Sequence, residues 1–163
     1  MGEQPAQPGA EWFDRPDRDS GEAGLRFGCT MCGNCCSGPP GYVLFTEAEG
    51  RAIAERLGVA YEQFLAEYTE DTLRGRSIRE RAGPRGFDCV FLDRDSIPGK
   101  AVCAIYEHRP SQCRTWPFWT KLLRSRDDWI RAKATCPGLD SGRLYTPVEI
   151  RIIRGDAQQP HVQ

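Results

Sequence analysis

The chain has 163 residues, with 22 Lys and Arg against 23 Asp and Glu and a formal net charge of -1. That length is one domain's worth, and a balance so close to neutral excludes a global field for nucleic acid or an anionic membrane. Hydrophobic residues make up only 39% beside 17 glycines and 12 prolines, which predicts a loop-rich fold that needs cross-links or metal.

Residues 1–24 are rich in Asp, Glu, Arg, Pro and Gly, and we expect a disordered or loosely docked lead-in with Trp12 and Phe13 free to dock. It has no apolar core of a signal peptide, and no run nears the roughly 18 apolar residues of a membrane helix, so a cytoplasmic protein is expected. A cysteine-rich knot spans 27–38, and Gly and Pro then punctuate the chain to Gly41. Residues 42–45 read as a short strand. Thr46 with Glu49 forms a capping box for a helix whose buried stripe is Ala48, Ala52, Ile53 and Leu57, closed by Gly58.

A second helix is predicted over 61–69, with Tyr61, Phe64, Leu65 and Tyr68 on one face. The stretch 71–86 carries Arg74, Arg76, Arg79, Arg81 and Arg85 and reads as an exposed loop. The apolar runs 89–92 and 101–106, separated by a polar stretch with Pro98 and Gly99, read as a hairpin. Pro110 opens a short helix carrying Cys113, which Pro117 ends. Residues 129–132 suggest a third strand. Thr146 and Glu149 again have capping-box form, so a short helix is expected over 147–153, with a strand as its competitor. The expected fold class is α+β: one small, loop-rich domain over 25–154, built around cysteine-ligated metal, with a flexible tail over 155–163.

Eight cysteines are the anomaly. The reducing cytosol keeps thiols free, so grouped cysteines there are metal ligands or redox groups. In Cys29, Cys32, Cys35 and Cys36 two successive two-residue gaps put three thiolates around one tight loop. Ferredoxins use this arrangement for three corners of a [4Fe–4S] cube, whereas structural zinc sites use separated knuckles. Gly33 and Asn34 suit the left-handed turns of such a loop. Neighbouring side chains diverge along an extended chain, so Cys36 is expected to serve a second site or bridge a binuclear one. Cys89, Cys103, Cys113 and Cys136 complete either two four-thiolate sites or one site with spare thiols. Cys103, within an apolar run, is the one that best suits plain packing.

The knot Phe27-Gly28-Cys29 through Cys36 resembles the CxxCxxCC signature of the YkgJ-type cysteine-cluster family. A second stretch, from Cys103 through Arg109, Pro110, Cys113 and Arg114 to Pro117 and Phe118, is similar to that family's other signature. Cys89 and Cys136 match its order, and the likeness covers about residues 25–145. It implies zinc or iron chelation, and a related cysteine arrangement occurs in flagellin lysine methylases.

Of the other residues, His108 suits a turn better than a ligand position. Arg109 and Arg114 either offset thiolate charge or form ordinary ion pairs. Trp116, Phe118 and Trp119 read as core before they read as a shield for a cluster. No catalytic constellation and no phosphate loop is present. The expected function is a metal-binding protein holding an iron–sulfur cluster, [4Fe–4S] by its spacing, or Zn2+ through all eight cysteines. Its alternatives are a cluster-supported enzyme acting on a protein, in the manner of the methylases, and a zinc-stabilised module for a protein partner.

Overall fold

The computed structural model describes residues 10–18 and 20–157; residues 1–9 and 158–163, where disorder is expected, lie outside the described residues. Helices alternate with antiparallel strands of at most four residues, a mixed α+β arrangement. Among the described residues, no helix is long and apolar enough to cross a membrane.

Helix α1 (Glu47–Leu57) starts where its caps dictate. The Thr46 hydroxyl accepts from the Glu49 N–H at 3.2 Å, and the Glu49 carboxylate accepts from the Thr46 N–H at 2.8 Å. Gly58, at φ 70°, ends it by donating to the Ala54 and Glu55 carbonyls. The buried face is Gly50, Ile53 and Ala54 with Leu57 half-buried, whereas Ala48 is exposed. The stripe is rotated from the expected one because the helix seats its glycine on Phe45: a Cβ at Gly50 would lie 2.8 Å from that ring. Helix α2 (Tyr61–Tyr68) follows and buries Phe64.

The arginine-rich stretch is not the expected exposed loop. Strands β3 (Thr69–Thr72) and β4 (Gly75–Ile78) form one hairpin, and β5 (Glu80–Gly83) and β6 (Gly86–Cys89) form a second. Strand β2 (Ser37–Gly38) extends the second hairpin along β6. Gly75 and Gly86, at φ 120° and 116°, make the turns. The arginines are compatible with strands because their long stems carry the charge to useful acceptors. Arg79 donates to the Ala66, Glu67 and Thr69 carbonyls at the end of α2, and Arg81 to the Leu92 carbonyl.

Residues 42–45 form no strand. Leu44 makes one bridge to Ser77, while the N–H groups of Val43 and Leu44 donate to the side chains of Ser77 and Gln112. The hairpin expected from 89–106 is shorter: β7 (Leu92–Asp93) pairs with β8 (Val102–Cys103), and Cys89 belongs to β6.

Helices α3 (Ser111–Arg114) and α4 (Thr120–Leu123) are single turns. Where residues 129–132 suggest a strand there is helix α5 (Arg126–Ala132). The Ser125 hydroxyl caps it by accepting from Asp128 N–H at 3.1 Å, and two aspartates in its first turn favour the dipole. Strand β9 (Arg143–Tyr145) pairs with β1 (Leu25–Phe27). Helix α6 (Pro147–Ala157) resolves the last choice in favour of helix and outruns the expected end.

Among the described residues, two hydrophobic cores result. The first gathers Phe13, Leu25, Phe118, Leu123, Trp129 and Ile150. Phe13 docks into it at 1% exposure, Trp12 donates to the Leu123 carbonyl, and Glu11 and Asp14 pair with Arg151 and Arg154 of α6. The second contains Phe45, Ile53, Phe64, Ile78, Phe91 and Ile105. Fully burying each large side chain contributes about 1.5–3 kcal/mol.

Candidate metal centre

The cysteine loop turns on Gly33, whose φ of 73° starts a 3-10 turn over Asn34–Cys36. A Cβ there would lie 2.6 Å from that of Ala101, so glycine serves both the backbone and the packing. The loop is pinned on its other side: the Ala101 N–H donates to the Met31 carbonyl at 2.8 Å, and Cys32 bridges Ala101. Behind it opens a cavity of about 420 Å³ lined by Cys29, Cys32, Cys35, Cys36, Cys103, Cys113 and Cys136. Cys89 does not line it, yet lies close enough to Cys36, Cys103 and Cys113 for their charges to interact. Cys136 has such neighbours in Cys32 and Cys35. Cys103 is more than a packing residue: it touches the second core and also forms cavity wall.

Cys35 and Cys36 do not diverge as an extended chain predicts. Their Sγ atoms are 3.7 Å apart, because the tight turn aims both inward. Two thiolates on one tetrahedral ion stand about 3.8 Å apart, so the pair is spaced either to share an ion or to give one thiolate to each of two adjoining centres. Among the described residues, no three His, Cys, Asp or Glu side chains are yet grouped to hold an ion.

The thiols differ in acidity. The hydrogen bond from the Cys36 thiol outweighs partial desolvation and, with help from the Arg109 charge, brings Cys35 down to about 7, and the same bond pushes Cys36 up. Burial pushes Cys89 up to about 11, and raises Cys113, Cys103 and Cys136 as well. A buried lone thiolate is penalised, and a bound cation reverses that penalty outright. Soft thiolates select zinc, iron–sulfur or copper(I), so the donor set fits zinc and iron alike.

These acidities predict the order of alkylation of the metal-free protein by iodoacetamide. Cys35 is exposed and stabilised as thiolate, so its rate rises with pH to half-maximum near 7, whereas an ordinary thiol waits for about 8.5. Peptide mass spectrometry across pH 6–9 reads this directly. A Cys35 profile superimposing on an ordinary thiol's would refute the stabilisation.

Among the described residues, Arg109 is the one charged side chain on the cavity wall, and no carboxylate lines it. Its guanidinium lies 3.8 Å over the Tyr106 ring, and its Nε donates to the Tyr106 carbonyl. Arg114 is instead in an ion pair, 3.6 Å from Glu49. The two arginines thus divide the roles considered for them. Trp116 and Trp119 stand edge-on at the wall with centroids 4.9 Å apart, while Phe118 is core at 2% exposure. His108 does not line the cavity, and its N–H closes a turn on the Ile105 carbonyl.

One residue of the site escapes the sequence: the Gln112 side chain receives the Leu44 N–H and donates to the Tyr42 carbonyl, bracing the wall beside Cys113, and only its place next to that cysteine signals it. Asn34 is not in the left-handed conformation expected of it, which Gly33 and Met31 adopt at φ 73° and 55°; it begins the 3-10 turn, and its side chain reaches across to Thr135.

A family model described as "CxxCxxCC: putative zinc- or iron-chelating domain" matches residues 28–137, a span that holds all eight cysteines. No solved structure matches the chain.

Proposed function

The chain belongs to the CxxCxxCC family, and from that premise we propose that it binds metal in two four-thiolate centres, one of Cys29, Cys32, Cys35 and Cys136 and the other of Cys36, Cys89, Cys103 and Cys113. The observation that carries this reading is the single cavity into which seven cysteines from distant parts of the sequence converge, with the eighth beside it. The grouping keeps the three thiols of the two-residue gaps together and adds Cys136, whose neighbours are Cys32 and Cys35; Cys36 then joins Cys89, Cys103 and Cys113, and Cys35 lies at the boundary, since its charge also reaches Cys103 and Cys113.

Iron–sulfur is the favoured filling and zinc the second. A bare ion needs only the hole between four sulfurs, and a water molecule takes about 30 Å³ of liquid. A space of about 420 Å³ suits a larger inorganic body. Apolar walls and Arg109 are the features by which a protein sets the potential of such a centre. The role that follows is structural, redox or chelating, with capture of metal coupled to ordering of the cysteine loop.

Purification without oxygen tests the reading. Brown protein with iron, acid-labile sulfide and absorbance near 400 nm is the expected result. Colourless protein with two equivalents of zinc keeps the two centres and changes their filling. A compact, oxygen-protected sample with neither iron nor zinc would overturn the function.

A further inference from the structure

Asn34 sits between Cys32 and Cys35, and its side chain joins three cysteine-bearing segments. The Nδ2 amide donates to the Thr135 carbonyl at 2.8 Å, one residue before Cys136. The Oδ1 accepts from Arg85, which lies in the turn between β5 and β6, and β6 ends at Cys89. Both bonds span long sequence separations, 101 and 51 residues. The orientation of the amide is set by its partners: a flip would face two oxygens at Thr135 and two sets of N–H donors at Arg85.

We propose that Asn34 is a positioning residue that sets Cys136 against Cys32 and Cys35, and so governs occupancy of one centre but not of the other. Cys136 comes from the end of α5, where its N–H donates to the Ala132 carbonyl, and belongs to a different element from the cysteine loop. Backbone bonds join Gly28 to Gly138, and Phe27 bridges Leu139, on the outer side of Cys29 and Cys136; on the inner side, next to Cys136 itself, the link is the Asn34 side chain. Asparagine fits because one rigid planar group supplies a donor to the carbonyl and an acceptor for the guanidinium. Aspartate would offer a carboxylate oxygen to the Thr135 carbonyl and lose the donor. The second centre takes Cys89, Cys103 and Cys113 from β6, β8 and α3 and only Cys36 from the loop, where strand β2 on β6 holds it independently of the Thr135 link. Groups that orient metal ligands typically change affinity 10–100-fold when removed.

The inference rests on the two-centre reading, so the wild-type full chain is measured first. It is loaded with cobalt(II), whose thiolate charge-transfer band reports each occupied centre, and titrated with a competing chelator. Asn34→Ala and Asn34→Asp are expected to release one equivalent at 10–100-fold lower chelator while the second equivalent is held as in wild type. Arg85→Ala keeps the bond to Thr135 and should shift the first equivalent less than tenfold. Thermal unfolding of the metal-free variants controls for a general loss of structure, which would weaken both centres together. Equal weakening of both, or Asn34→Asp binding as tightly as wild type, overturns the role of Asn34. A wild type that takes up a single equivalent, or none, overturns the two-centre reading instead and this inference with it.

Discussion

In the zinc-loaded chain, serine at Cys36 will weaken one of two bound equivalents about a hundredfold and leave the other, and serine at Cys136 will weaken the complementary one. Structural zinc in small thiolate sites is bound with about 10–16 kcal/mol from four ligands. Removing one of four thiolates therefore weakens a centre by about 3 kcal/mol, roughly a hundredfold, before any strain is counted. The proposed grouping assigns the variants: Cys29→Ser, Cys32→Ser, Cys35→Ser and Cys136→Ser form one class, and Cys36→Ser, Cys89→Ser, Cys103→Ser and Cys113→Ser the other. Members of one centre act as a unit, so pairing Cys36→Ser with Cys89→Ser adds little, while pairing Cys36→Ser with Cys136→Ser empties the protein. Native mass spectrometry counts the bound equivalents. If Cys36→Ser and Cys136→Ser release the same equivalent, the adjacent thiols of Cys35 and Cys36 serve one shared centre, and their 3.7 Å separation is the reason.

Local signals in the sequence are the ones that survive into the structure. The boxes Thr46/Glu49 and Thr146/Glu149 need only four consecutive residues, and both cap the helices expected of them. What fails is whatever the tertiary setting decides. Arg79 looks like a solvated charge until the end of α2 supplies three carbonyls for it. Residues 129–132 have the apolar content of a strand, but Ser125 and Asp128 nucleate a helix that buries Trp129. The rule that neighbouring side chains diverge is true of an extended chain and fails for Cys35 and Cys36, because Gly33 bends the backbone just before them. The partners of the distal cysteines depend on contacts over dozens of residues, which no spacing encodes.

Phe64→Ala will lower stability by about 3–5 kcal/mol, the usual loss for a fully buried aromatic residue. Phe64 is 0% exposed. Its ring contacts those of Phe45, Tyr61 and Tyr68 with centroids 5.5, 6.1 and 6.2 Å away, and Tyr68 passes the stack on to Phe91. Whole-domain stability is about 5–15 kcal/mol, so the loss is a large fraction of it. For a chain of this size it corresponds to a fall in Tm of about 6–20 °C. Cys89 and Cys103 pack against this same core, whereas Cys136 is part of the other one. The cavity left by the ring therefore loosens two ligands of one centre and none of the other. Differential scanning calorimetry of the metal-free and metal-loaded variant separates the two effects: saturating metal should restore part of the lost Tm, since a ligand that binds only the folded state stabilises it by mass action. Trp129→Ala, at 2% exposure in the other core, should show the reverse preference between the centres. Equal loss of both equivalents in both variants would mean that the cavity walls respond as one body, and that each centre depends on both cores.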